Sequence, residues 1–264
     1  MRGILQSVWN YRYFIFSSIQ TGFKSRFARS KLGGLWMVLH PLAQVLIYAL
    51  VLSQIMTAKL PGVASEYAYP IYLMAGMVGW TLFAEIAGAS IDVFISNANL
   101  LKKMAFPKLT LPLIVIGNGL INFTLLLLTM FIVFAFLGHT ALQAIIWLPL
   151  LVLITLGLAG GIGLVLGVLN VFIRDIGQVM IIVLQFWFWL TPVVYTLSIV
   201  PEKYHHLLFL NPMSGVIAGY HNILVYDKAP DFELLIYPSI VAVVALVLAL
   251  YLFKRANEDM TDVL

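Results

Sequence analysis

The chain has 264 residues, 62% of them hydrophobic and only 10% charged, with a mean hydropathy of +1.01. That is well above the apolar share of soluble domains and marks an integral membrane protein, so length alone does not count its domains. The net charge of +4 lies in basic residues that flank apolar runs, which points to orientation in a bilayer and not to nucleic acid. The absence of cysteine excludes disulfides, thiolate metal sites and thiol nucleophiles.

Residues 1–34 do not read as a span. Trp9, Phe16, Ile19, Phe23 and Phe27 recur at helical spacing against Arg12, Ser17, Gln20, Thr21 and Lys24, which predicts an amphipathic helix in the cytoplasmic headgroup layer. Arg12, Lys24, Arg26 and Arg29 interrupt the stretch and no small-residue cleavage site follows, so a secretory signal is not expected. Residues 35–264 then form a transmembrane domain. A span needs about 20 mainly apolar residues, and six segments qualify, at 35–57, 70–95, 111–137, 143–172, 177–197 and 234–253. The predicted fold is therefore all-α, with six transmembrane helices behind an interface helix.

Alternate flanks carry unequal positive charge. One side holds twelve Lys and Arg; the other holds Lys59, Lys203 and Lys228. The basic side of a membrane protein is the cytoplasmic one, which places both termini inside. Among the outer segments, 198–233 is the long one. It contains Pro201-Glu-Lys-Tyr-His-His206 and then Asn211-Pro212, an N-cap followed by proline at the first helical position. Two short helices that dip back into the outer leaflet are expected there, with His205 and His206 an exposed pair.

Polar groups inside the spans are few. Glu85 and Asp92 share one face of the second span with Gly88 and Ala89 between them. Their readings are polar helix packing, pairing with an inner arginine, or a proton relay. Gly157, Gly160, Gly161, Gly163 and Gly167 in the fourth span predict close helix approach, with a hinge as the alternative. Asn170-Val-Phe-Ile-Arg-Asp175 ends that span in a compact inner turn. Phe186-Trp-Phe-Trp189, with Thr191-Pro192 and Tyr195, points all round the fifth span. Aromatic faces stack on flat or ring-shaped ligands, so this cluster either lines a sugar pathway or packs in the protein. No G-x-x-x-x-G-K-[ST], G-x-S-x-G or H-E-x-x-H occurs in the chain, and no enzyme constellation or metal site is expected.

Between the second and third spans lies Asn97-Ala-Asn-Leu-Leu-Lys-Lys-Met-Ala-Phe-Pro-Lys-Leu-Thr-Leu-Pro112. Lys102, Lys103 and Lys108 stand on it beside an apolar side of Leu100, Leu101, Met104 and Phe106. It is a tether, or the handle by which something outside the membrane moves the spans.

These motifs together resemble the membrane subunit of ABC-type polysaccharide exporters of the ABC-2 class. The likeness is nearest to O-antigen exporter permeases (the Wzm type), with teichoic-acid and capsular exporters alongside. It rests on Arg26-Phe-Ala-Arg-Ser-Lys-Leu-Gly-Gly-Leu-Trp36 with His40-Pro41 and on Asn99-Leu-Leu-Lys-Lys-Met-Ala-Phe-Pro107 with Leu111-Pro112. Asn170 with Arg174-Asp175, Asn211-Pro212 and Met260-Thr-Asp262 complete it. The chain departs from the family's pattern at His221, where an arginine often follows the tyrosine, and at Ser18 and Ile19, where an acidic residue is common.

The resemblance implies a homodimer in the bacterial inner membrane with two cytoplasmic ATP-binding subunits, which hold the ATP and magnesium; this chain needs no cofactor. The substrate it implies is a polyprenyl-pyrophosphate-linked glycan, its phosphates held by Arg26, Arg29 and Lys31. The glycan pathway would run past Trp80, Phe83, Phe186, Trp187, Phe188, Trp189 and Tyr195. Asn99, Leu100, Leu101, Lys102, Lys103, Met104 and Phe106, within a coupling loop at 96–110, would dock on the ATPase, whose closure moves spans two and three. Tyr204, Asn211, Pro212, Tyr220 and His221 would form an outer gate within 198–233. A proton-coupled lipid-linked-sugar flippase leaning on Glu85 and Asp92, and a membrane scaffold, are the alternatives from other classes.

Overall fold

The structure, a computed structural model, describes residues 6, 9–27, 35, 36, 39, 42, 43, 68–103, 106–256 and 259–263. Most of the described residues are helical, and none of them lies in a strand. In chain order the helices are α1 (Arg12–Phe27), α2 (Ala68–Ile91), α3 (Val93–Ser96), α4 (Ala98–Lys103), α5 (Thr110–Phe136), α6 (Leu148–Phe172), α7 (Asp175–Leu190), α8 (His205–Phe209), α9 (Pro212–Leu224), α10 (Phe232–Ala256) and α11 (Asp259–Val263). A 3₁₀ turn, Ala144–Trp147, leads into α6. Most of the first predicted span lies outside the described residues, although Leu35, Trp36, Leu39, Leu42 and Ala43 are helical.

Four helices, Ala68–Ile91, Thr110–Phe136, Ala144–Phe172 and Phe232–Ala256, are long and apolar enough to cross a bilayer. They fall on the second, third, fourth and sixth predicted spans. The fifth is shorter than 177–197 because α7 stops at Leu190. Thr191 precedes Pro192 and is extended, at φ −100° and ψ 134°, since a proline ring crowds a helical residue before it. The 16 residues of α7 reach only about 24 Å.

The packing has a tight half and a loose half. α2 is buried along most of its length among α5, α6 and α9, and its Leu73, Phe83 and Ile86 belong to one large apolar core. Small residues make the approach close, as the fourth-span glycines predicted. A Cβ on Gly163 would lie 2.7 Å from Ser90 Cβ on α2, and one on Gly161 would lie 2.8 Å from Ala245 Cβ on α10. Every residue of α7, by contrast, is at least partly exposed in this chain. A second apolar cluster, of Phe94, Leu101, Leu111, Val168, Phe253 and Met260, closes the end of the bundle where α4 and α11 lie.

The N-terminal helix keeps the predicted polar face, with Arg12, Ser17, Gln20, Thr21 and Lys24 exposed and Ile19 and Phe23 partly buried, but departs from it at Trp9 and Phe16. Its partly buried residues are Phe14, Ile15, Ser18, Ile19, Gly22 and Phe23, with Ile19 seated over Gly117 and Gly22 over Asn118 of α5. Trp9, Tyr13 and Phe16 are exposed instead, with the Arg12 guanidinium 5.1 Å from the Trp9 ring and 4.6 Å from the Tyr13 ring. Apolar residues occupy most of the circumference, so helical spacing alone did not show which arc meets protein.

Candidate functional site

Three regions hold the candidate residues: the segment that the charge pattern assigns to the inner side, an aromatic layer, and a helical cap that it assigns to the outer side. The inner segment starts where α2 stops. Asp92 ends the helix, its carbonyl accepts from the Ser96 N–H at 2.9 Å, and the chain resumes as α3 and α4. Asn97 Nδ2 donates to Val93 O at 2.8 Å, and Thr110 Oγ1 donates to Pro107 O at 2.7 Å, which fastens both ends of the segment.

The predicted apolar docking side is used within the chain. Leu101 is buried in the inner cluster, Leu100 packs on it, and Phe106 lies 5.6 Å from Phe14 of α1. Asn99, Lys102 and Lys103 are the exposed residues of α4. α11 packs beneath it, so the C-terminal segment braces the handle. Met104, Arg29, Lys31 and the side chain of Arg26 lie outside the described residues.

The aromatic layer is mostly core. Phe83 meets Trp187 edge-on at 5.0 Å, and Trp80 lies 5.5 Å from Phe83 and 5.6 Å from Phe188. Trp80 and Phe83 are buried, and Trp187 and Phe188 are partly so. These rings therefore join α2 to α7, and Trp80 and Phe83, which the sequence reading set along a glycan pathway, are buried between the two helices in this chain. Phe186 and Trp189 are 66% and 56% exposed on the free side of α7, with Gln178 and Gln185 exposed beside them. The two glutamines were not singled out from the sequence. Their spacing of seven on an apolar helix is a signal that could have found this face.

Glu85 accepts a hydrogen bond from Asn122 Nδ2 of α5, and Asp92 Oδ1 accepts from Asn170 Nδ2 at 3.1 Å. Both carboxylates join helix to helix, as the polar-packing reading expected.

The outer cap centres on α9, a fixed element. Asn211 caps it as predicted, with Oδ1 accepting from Met213 N at 3.0 Å ahead of Pro212. The same oxygen accepts from Trp187 Nε1 at 2.7 Å, and Asn211 Nδ2 donates to Thr191 Oγ1 at 2.8 Å. Tyr220 and His221 are buried, and His221 stacks on Tyr72 with ring centroids 3.6 Å apart. Gly76 and Gly79 of α2 leave the room for both: a Cβ at Gly76 would lie 2.7 Å from His221 Nε2, and one at Gly79 would lie 2.5 Å from Tyr220 Cδ2. Burial holds the His221 imidazole down at about 3, well below its ordinary range, so it is neutral here.

Beyond Pro192 the chain folds back on α2, where Tyr69 Oη donates to Val194 O at 2.9 Å and Tyr72 Oη donates to Tyr195 O at 3.1 Å. The far end of α9 is held by His139, whose Nε2 meets Leu224 O at 2.9 Å. Of the five predicted gate residues, only Tyr204 is exposed. It belongs to the 197–210 turn, in which His205 Nε2 meets the carbonyls of Leu197 and Val200 at 3.0 and 2.9 Å. His205 thus fastens a turn, and only His206 is fully exposed.

A bundle of long apolar helices with a short basic helix at one end and a capped helix at the other marks an integral membrane protein. The chain belongs to the ABC-2 type transporter family, whose profile matches residues 13–225. It is 29% identical over 98% of both chains to the O-antigen export system permease protein RfbA of Myxococcus xanthus. It is 26% identical to the protein of that name from Klebsiella pneumoniae, over 91% of each chain. Its similarity to the polysialic acid transport protein KpsM of Escherichia coli is 24% identity over 90% of this chain and 91% of that one.

Proposed function

We propose that the chain is the membrane-spanning permease subunit of an ATP-driven exporter that moves a lipid-linked, O-antigen-like polysaccharide to the outer face of the bacterial inner membrane. The observation that carries this reading is the likeness to O-antigen export permeases over 98% of both chains. The geometry supports it in two places. The exposed Asn99, Lys102 and Lys103 form a basic foot on a braced helix, suited to an acidic cleft or lipid phosphates. Phe186, Trp189, Gln178 and Gln185 form an exposed aromatic and amide face on α7, and polar groups on a span normally face protein or water and not lipid.

In this reading six spans run from a cytoplasmic N-terminus to a cytoplasmic C-terminus. Two copies meet so that the α7 faces border the glycan, because six helices are too few to enclose a sugar polymer. Two copies of a separate ATPase, carrying ATP and magnesium, press on the coupling segment. Arg26, Arg29 and Lys31 hold the lipid pyrophosphate at the inner leaflet, and the 197–210 turn with Tyr204 is the outer gate.

The test is reconstitution in proteoliposomes of the chain with the ATP-binding subunit that purifies with it. Polyprenyl-pyrophosphate glycan should become accessible on the far side only with hydrolysable ATP. No such subunit, or equal movement without ATP, would overturn the reading. The likeness to KpsM favours a capsular polysaccharide as the second substrate reading, decided by supplying both glycans to the same vesicles.

A further inference from the structure

The inner ends of α2, α6 and α7 meet at one side-chain amide. Asn170, in the last turn of α6, is 1% exposed. Its Nδ2 donates to the Ile91 carbonyl and to Asp92 Oδ1, each at 3.1 Å, and its Oδ1 accepts from the Gly177 N–H at 2.9 Å. These partners fix the amide's orientation, because turning it over would set donor against donor. Ile91 O lies in the last turn of α2 and Gly177 N–H in the first turn of α7, where backbone groups have no partner inside their own helix. One side chain therefore caps the carbonyl end of one helix and the amide end of another. Gly177 leaves it space, since a Cβ there would lie 3.1 Å from both Asn170 Nδ2 and Asp92 Oδ1.

The chain leaves this knot at Asp92 and runs through α3 into the coupling loop, so residues 92–103 form one coupling segment. The helices leaving the knot are held very unequally. α2 is wedged into α6 at Ser90 and into α9 at Gly76 and Gly79. Among the described residues, α7 gives the apolar core partly exposed side chains such as Leu184, Trp187 and Phe188, and no buried one. A close-packed interior transmits force without yielding, whereas an element with few buried contacts moves at low free-energy cost.

We propose that Asn170 is the positioning residue that passes displacement of the coupling segment, residues 92–103, to α7, so that the partner ATPase moves α7 and not spans two and three. The inference rests on the exporter reading and adds to it the route by which force reaches the glycan-facing helix.

The test compares Asn170→Asp, Asp92→Asn and their combination in the complex with its ATPase. Asn170→Asp keeps the acceptor for the Gly177 N–H but sets a carboxylate against Asp92. The double exchange restores the donor–acceptor pair between positions 170 and 92 with its roles reversed, and leaves only the Ile91 carbonyl without its amide donor. Asn170→Asp places a carboxylate at a buried position and should lower the melting temperature, but in the folded complex ATP hydrolysis should stay within about twofold while export per ATP falls roughly tenfold. The double variant should recover to within about threefold. Unchanged export per ATP, a loss that merely follows the melting temperature, or no recovery in the double variant would overturn the proposal.

Should Asn170→Asp not assemble, Gly177→Ala crowds the amide without adding charge and is read in the same way. Gln178→Cys, in a chain with no native cysteine, reads α7 without any glycan. ATP should change its thiol-labelling rate in the parent, and Asn170→Asp should abolish that change; an equal response in both would refute the route. Parent vesicles that move no glycan on ATP would instead sink the exporter reading, which separates the two failures.

Discussion

Trp187 of α7 donates its indole N–H to Asn211 Oδ1 across 2.7 Å, and that oxygen is also the N-cap acceptor of α9. One asparagine thus fastens the outer end of the loosest apolar helix to the outer cap. Asn211→Ala removes the cap and strands a partly buried N–H, a loss of about 2 kcal/mol. Trp187→Phe keeps the cap and should lose about 1 kcal/mol. Thermal unfolding of the detergent-purified protein should rank the two variants in that order.

The slot on α2 makes a second expectation. Gly79→Ala drives a methyl into the Tyr220 ring, and overpacking of this kind is destabilising by about 1–3 kcal/mol. Gly160→Ala is the control, because a Cβ there meets only Ile116 Cδ1 at an ordinary 3.5 Å. The first variant should lower the yield of folded protein and its melting temperature; the second should change neither.

His221 gives the outer cap a pH dependence with a definite sign. Its pKa in the fold is about 3, while the unfolded imidazole titrates near 6.5. Below 6.5 the unfolded chain takes up a proton that the folded chain does not, so stability falls as pH drops from about 6.5 toward 3, by up to about 1.4 kcal/mol per unit. Above 6.5 this contribution is complete. His221→Phe should flatten that part of a melting-temperature profile measured from pH 8 to pH 5.

The coupling helix separates folding from function. Leu101→Asp places a carboxylate in the inner core and should abolish stable folding, since an unpaired buried charge is strongly unfavourable. Lys102→Glu with Lys103→Glu changes only exposed residues and should leave the melting temperature unchanged. Size-exclusion profiles of the two variants, run side by side, decide this.

Much of the architecture was legible in the chain. Four spans fall within a few residues of their predicted limits, and Asn211-Pro212 announced the start of α9. The fourth-span glycines announced close packing. What stayed hidden shares one physical cause. In a membrane protein lipid, core and partner surfaces are all apolar, so periodicity shows that a residue is hydrophobic without showing what covers it. That is why Leu101 reads as a docking residue yet is core, and why Trp80 and Phe83 read as pathway yet join α2 to α7. Gly76 and Gly79 were visible, but their role depends on Tyr220 and His221, which follow more than 140 residues later and meet them only in the fold.

The central claim is that ATP hydrolysed on a partner drives glycan export through the exposed foot of α4. Glycan exported per ATP hydrolysed, measured in proteoliposomes of the whole complex, tests it most directly. Lys102→Glu with Lys103→Glu should lower that ratio roughly tenfold, while Glu85→Gln should leave ATP-dependence intact. Export that proceeds without the ATPase and stops in Glu85→Gln would contradict the account.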